Sequence, residues 1–73
     1  MELILASFAE RLKPLRKEKH CTQKQMGELL ACTERHYQKI EYGQINVSAT
    51  MLIQLADYFD TTTDYLLGRS DLR

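Results

Sequence analysis

This 73-residue chain is poor in the residues that stiffen or cross-link small proteins. It has two cysteines, one proline, three glycines and no tryptophan, and its ten basic and ten acidic residues cancel. Each scarcity excludes something. Zero net charge argues against strong sequence-independent adhesion to nucleic acid. Cys21 and Cys32 bracket one helical pattern; the residues between them would rise ~15 Å as a helix, beyond disulfide reach, so both are expected as thiols in a cytoplasmic protein. His20, Cys21, Cys32 and His36 contain no Cys-x2-4-Cys pair and span the same gap, so neither a metal nor any other cofactor is expected. No apolar run approaches the ~20 residues of a membrane span. The short run Leu3–Ala6 follows Glu2, with no basic leader, and does not read as a secretory signal.

A chain this short reads as one domain, residues 1–73, burying about 60% of the surface its unfolded form would expose. No stretch has the two-residue alternation of a strand, and five helical patterns follow one another. Phe8, Leu12 and Leu15 form the first stripe. Ser7 and Glu10 are placed as a capping box, with Pro14 predicting a kink near Glu10–Lys13 or a later start. That helix is expected to end near Lys19–His20, with His20 in a left-handed conformation. The second covers Gln23 to about Leu30 and buries Met26, Leu29 and Leu30. Gly27 in its middle points to close packing by a neighbouring helix. The third covers Glu34 to Tyr42 and stops at Gly43. Ser48 caps a fourth through Leu52, Leu55, Ala56 and Phe59, with Val47 and Leu52 as its hydrophobic staple. Thr62 or Thr63 caps a last turn, Tyr65–Leu67, closed by Gly68.

The stretch Thr22–Gly43, TQKQMGELLACTERHYQKIEYG, is the most informative. Thr22 with Gln25 makes a capping box, and Thr33 opens the next helix with His36 at the reciprocal position. Cys21 and Cys32 stand before the caps, opposite Met26 and Tyr37 as staples. Two short helices joined by a tight turn, the second with one apolar and one polar face, describe a helix-turn-helix, a unit that sets a helix in the DNA major groove. Charge is unevenly spread. Between Arg11 and Lys24, Arg11, Lys13, Arg16, Lys17, Lys19 and Lys24 face only Glu18, whereas from Glu41 onward Glu41, Asp57, Asp60, Asp64 and Asp71 outnumber Arg69 and Arg73. A positive end able to steer toward phosphate is implied, with Lys13 and Lys17 as candidate backbone contacts.

From about Phe8 to Leu67 the sequence resembles the Cro/CI-type, or XRE, helix-turn-helix family of bacterial and phage regulators. The resemblance rests on RLKPLRKEK, on Thr22–Gln23, on IEYG at Ile40–Gly43 and on DYLLGRS from Asp64. It implies an all-α, compact five-helix bundle of the lambda-repressor-like type, with helices 2 and 3 forming the motif. Three departures stand out: Gly27 replaces the usual Ala, Ala31 the usual Gly, and the loop Gln44–Val47 lacks the usual basic residue and proline.

The resemblance makes Glu34–Tyr42 the recognition helix. Tyr37 and Ile40 then face inward, while Glu34, Arg35, His36, Gln38 and Lys39 are the candidate base contacts. Arg and Lys suit guanine, Gln adenine, and Glu the cytosine amino group. Thr22, Gln23, Thr33 and Tyr42 become backbone contacts beside Lys13 and Lys17. Arg16 and Glu41 are expected as a structural ion pair. The implied function is sequence-specific binding of a double-stranded, roughly palindromic operator by a homodimeric regulator, most simply a repressor. No nucleophile or acid–base pair assembles, so an enzyme is not expected. The rival reading is an antitoxin or anti-regulator that keeps the fold and binds a regulatory protein partner. Leu3, Ile4, Leu5 and the Tyr65–Leu67 turn are the candidate dimer contacts.

Overall fold

The computed structural model describes the backbone of residues 2–73 and side chains from Ser7 onward. Five helices follow in order: α1 (Glu2–Glu18), α2 (Gln23–Leu29), α3 (Glu34–Glu41), α4 (Ala49–Tyr58) and α5 (Thr63–Leu66). No strand occurs among the described residues, and none of the helices is long and apolar enough to cross a membrane.

Each of the last four helices starts on a hydroxyl. Thr22, Thr33, Ser48 and Thr62 have extended backbones, and each side-chain oxygen accepts the N–H three residues on. At Thr22 the box is complete, because its own N–H donates to Gln25 Oε1 at 2.8 Å. These bonds satisfy donors that a helix start otherwise leaves open, each contributing about 1 kcal/mol. All five helices end alike. His20, Ala31, Gly43, Asp60 and Gly68 have positive φ, and the N–H of the next residue reaches back to a carbonyl five positions earlier, as in Gln44 to Lys39 at 2.8 Å. Three of these left-handed residues are not glycine, and each costs about 1–2 kcal/mol of local strain.

The start of α1 corrects the capping-box expectation at Ser7. The helix already runs from Glu2, so Ser7 lies in its interior, and it continues unbroken through Pro14. Serine followed by Glu three residues later is a local pattern, and the helical path upstream overrides it. The side chains of Leu3, Ile4 and Leu5, candidate dimer contacts, lie outside the described ones.

One core joins all five helices: Phe8, Leu12 and Leu15; Met26 and Leu30; Tyr37 and Ile40; Leu55, Ala56 and Phe59; and Leu66. Leu30 is buried, but Leu29 is exposed, contrary to expectation. Met26 and Leu30, four apart, share the inner line of a seven-residue helix, leaving Leu29 on its rim. Leu66 is buried too, which removes it from the candidate dimer face, while Tyr65 and Leu67 are half-buried. Gly27 is buried, but its close neighbour is not another helix. A Cβ there would lie 3.0 Å from the Cys32 carbonyl oxygen and 3.1 Å from Thr33 backbone atoms. The turn of the motif therefore folds directly onto α2, and a Cβ at 27 would require it to give by a few tenths of an ångström.

The C-terminal segment is strapped to α1. Arg11 donates to the carbonyls of Tyr65 (2.9 Å) and Ser70 (2.6 Å) and to Asp71 Oδ1 (2.8 Å), with its guanidinium 4.4 Å above the Tyr65 ring. Arg73 donates to Glu18 at 3.0 Å.

Candidate nucleic-acid interface

The second helix of the motif is divided by burial. Tyr37, Ile40 and Glu41 are buried, whereas Glu34, Arg35, His36 and Lys39 are exposed. Arg35 and Lys39 are four residues apart and so share one face. Neither side chain forms a hydrogen bond or ion pair among the described residues. Lys13 and Lys17 repeat that spacing on the exposed side of α1. Thr22 and Thr33 are exposed, with their oxygens committed to capping, and their hydroxyl protons remain available to an acceptor outside.

Glu41 is a carboxylate with no side-chain exposure, and Arg16, 12% exposed, lies against it. Arg16 Nε donates to Oε2 at 2.9 Å and to Oε1 at 3.2 Å, and Nη2 donates to Oε1 at 2.9 Å. Such forked, charge-assisted pairing is what a buried carboxylate requires. Bonding to Glu41 raises the Arg16 pKa, outweighing the opposing effect of burial. Nη1 also donates to the Cys21 carbonyl at 2.9 Å. One guanidinium thus ties α1 to both the start of α2 and the end of α3. Tyr37 Oη is buried with no hydrogen-bond partner. Its proximity to the ion pair is felt as charge: burial first, then the Glu41 carboxylate, holds the phenol well above its ordinary pKa.

Gln38 departs from the outward placement expected of it. It is half-buried in the seam with α2, and its Nε2 donates to Gln23 Oε1 at 3.0 Å. Gln23 Nε2 in turn lies 3.5 Å from both Glu41 Oε2 and the hydroxyl of Tyr42, whose side chain is otherwise exposed. Periodicity along α3 alone places Gln38 with the polar face. The crossing of α2, which brings the first residue of that helix alongside, is not visible in a one-helix pattern. Nor does the sequence reveal the contact between Cys21 Sγ and the Tyr58 hydroxyl at 2.8 Å, which raises the Tyr58 pKa and joins the α1–α2 turn to α4.

The geometry is that of two short helices locked by a glycine-tight turn, with a rigid second helix presenting a mixed-charge polar face. Comparison with known proteins agrees with it. The sequence profile of the helix-turn-helix family matches residues 12–66. The chain is 42% identical over 60 residues to the HTH-type transcriptional regulator AnsR of Bacillus subtilis (strain 168), covering 82% of this chain and 52% of that protein. It is 37% identical over 60 residues to the uncharacterized HTH-type transcriptional regulator YqaE of the same organism, with the same coverage of each chain. A third relative, the SPbeta prophage-derived uncharacterized HTH-type transcriptional regulator YonR, is 35% identical over 60 residues, covering 82% of this chain and 56% of its own. The chain thus spans about half the length of these relatives. No solved structure matches at a comparable level.

Proposed function

Since this chain belongs to the XRE-type helix-turn-helix family of transcriptional regulators, we propose that it represses transcription by laying α3 in the major groove of a specific operator. The observation that carries this reading is the division of α3. Tyr37, Ile40 and Glu41 anchor the helix from within, while Arg35 and Lys39 extend from its opposite face with no partner among the described residues. A helix anchored this way spares the cost of ordering its backbone on binding, while the free Arg35 and Lys39 side chains are ordered only in the complex. Arg35 and Lys39 are the principal base readers, suited to guanine O6 and N7. Glu34, suited to a cytosine amino group, and His36 stand beside them. Gln38 contributes from the seam. Lys13, Lys17, Thr22, Gln23, Thr33 and Tyr42 meet the phosphate backbone around this face.

One eight-residue helix spans too few base pairs to find a site in a genome. The proposal therefore includes two chains on half-sites about one turn, ~34 Å, apart. With Leu66 in the core, Leu67 and the exposed Leu72 are the apolar groups at the C-terminal end offered to that contact.

The rival reading, a protein-binding antitoxin or anti-regulator, draws on the zero net charge and the uncharged loop Gln44–Val47. Genomic binding-site enrichment followed by gel shift at two salt concentrations tests both. A shared motif bound with steep salt dependence supports the regulator. No enriched site, or affinity indifferent to salt, overturns it in favour of the protein-binding reading.

A further inference from the structure

The turn from α1 to α2 is gripped from two sides at Cys21, the residue just before the Thr22 cap. From α1, Arg16 Nη1 donates to the Cys21 carbonyl at 2.9 Å. From α4, the hydroxyl of Tyr58 lies 2.8 Å from Cys21 Sγ, and either atom can donate. The ammonium of Lys19, two residues back in the same turn, stands 5.0 Å from the centroid of the Tyr58 ring. A cation this close is attracted to the ring face. Tyr58 is itself set by Phe59, a buried neighbour whose ring meets it edge-on at 5.1 Å. No Cα of α4 comes within 8 Å of one in α2 or α3. Apart from its own cap, α4 has one hydrogen bond to the chain before it among the described residues, that between Tyr58 and Cys21. Leu55 and Phe59 join α4 to the core, but apolar burial has no preferred direction, whereas a hydrogen bond does.

We propose that Tyr58, acting through Cys21, is a positioning residue that holds Thr22 and Gln23 against the DNA backbone. Thr22 and Gln23 follow Cys21 directly, so a shift of Cys21 carries both. With the Arg16 bond alone, Cys21 is free to pivot about its carbonyl; the second hold, on its side chain, removes that freedom. In the DNA-binding reading on which this rests, α4 touches neither base nor phosphate, yet through Tyr58 it becomes a determinant of affinity. The expected signature is narrow. The contact with one phosphate weakens, while base preference along α3, anchored through Tyr37 and Ile40, stays as it was.

The first arm of the test needs no DNA. NMR relaxation on the free protein gives backbone order parameters, which read local motion and not global stability. In wild type, Cys21, Thr22 and Gln23 should be as ordered as α3, at ~0.85. Tyr58→Phe keeps the ring and loses the hydroxyl, and it should lower the values for these three residues toward ~0.6 while those of α3 hold. Cys21→Ala removes the other partner and should do the same, the double variant adding nothing further. An unchanged turn in both variants overturns the proposal. So does an equal fall along α3, which marks general loosening.

The second arm replaces the phosphates of the operator, one at a time, by neutral methylphosphonates. Wild type should lose affinity at a few positions. Gln23→Ala should become insensitive at one of them, which marks the phosphate met by Thr22 and Gln23. Tyr58→Phe should bind the natural operator on the order of fivefold more weakly, lose its sensitivity at that same phosphate and keep the wild-type base preference. Wild-type sensitivity retained there in Tyr58→Phe overturns the proposal, and so does a changed base preference, which places the effect on α3. If Gln23→Ala relieves no position, Gln23 meets no phosphate and the proposal falls with that contact. A wild-type protein that binds no operator fails the DNA-binding reading instead, and the order parameters still decide whether Tyr58 holds the turn.

Discussion

Removing the Glu41 carboxylate is the perturbation whose size the structure bounds best. Glu41 has no side-chain exposure, and three of its contacts to Arg16 lie between 2.9 and 3.2 Å. Glu41→Ala leaves the 12%-exposed guanidinium with only the Cys21 carbonyl among its described partners. Breaking a buried pair from one side costs about 3–5 kcal/mol, because a charge is left without compensation. Domains of this size unfold with ~4–11 kcal/mol in total. The variant should therefore lose about a quarter of its stability at least, and its melting temperature should fall by at least ~12 °C. Urea unfolding followed by far-UV circular dichroism, with the m-value checked for constancy, reads the loss directly. Arg16→Met should cost as much or more, since it strands the more deeply buried partner. The double variant Arg16→Met/Glu41→Leu should recover most of the loss, because apolar replacement of a buried pair is often neutral or stabilising. A loss below ~1 kcal/mol for Glu41→Ala would mean the pair behaves as a surface contact, and the argument from burial would be wrong.

Arg35→Ala should weaken operator binding by ~1–3 kcal/mol and relax preference at one base position; equal losses on operator and random duplex would remove Arg35 from base reading. Ala31, at φ 57°, should be improved by glycine: Ala31→Gly should raise stability by ~0.5–1 kcal/mol, relief of left-handed strain exceeding the added chain entropy, and a loss in urea unfolding would contradict this. Tyr37 has a folded-state pKa above its unfolded value, so its neutral form contributes stability that is complete below the unfolded pKa, near 10, and is lost as pH rises beyond it, at up to ~1.4 kcal/mol per pH unit. Tyr37→Phe should accordingly match or slightly exceed wild type at pH 7 and gain on it above pH 10; parallel stability curves up to pH 11 would show that the phenol is not held neutral.

Features whose signal is local were legible in the sequence. Threonine or serine before an apolar helical period marks the starts of α2, α3, α4 and α5, because a cap works within four residues. The stripe Phe8, Leu12 and Leu15 and the inward pair Tyr37 and Ile40 follow from a period of 3.6. Features that depend on how helices cross were not legible. Leu29 and Leu30 carry the same side chain, and only the way a short α2 packs makes Leu30 share the inner line of Met26 and leaves Leu29 exposed. Gln38 satisfies the polar period of α3, yet sits against α2 because Gln23 stands there. Ser7 carries a cap pattern inside a helix, since nothing local reports that the chain before it is already helical. Ala31 and Asp60 adopt conformations that glycine would advertise, and these residues do not.

Zero net charge does not prevent strong binding to phosphate if the charges are segregated. Three ion pairs among the described residues occupy Arg11, Arg16 and Arg73 with Asp71, Glu41 and Glu18. Outside them, Lys13, Lys17, Lys19, Lys24, Arg35 and Lys39 outnumber Glu10, Glu28 and Glu34 on α1 to α3 and the turns between them, whereas Asp57, Asp60 and Asp64 lie on α4, α5 and their connection. Far from the molecule these fields cancel; at the α3 face they do not. Binding should therefore show little long-range steering but a definite salt slope, set by the cations that actually meet phosphate. If Lys13 and Lys17 are those cations, each contributes ~0.9 to the slope of log K against log salt for every chain bound. One chain per site then gives a slope near −2 and two chains near −4; the second corresponds to a loss of ~10²-fold between 50 and 200 mM salt. Lys17→Ala should reduce the slope by ~0.9 in the first case and ~1.8 in the second. The same titration thus locates the phosphate contact and counts the chains. A reduction near 1.8 supports the dimer on two half-sites, and one near 0.9 leaves a single chain on the DNA. An unchanged slope would remove Lys17 from the interface.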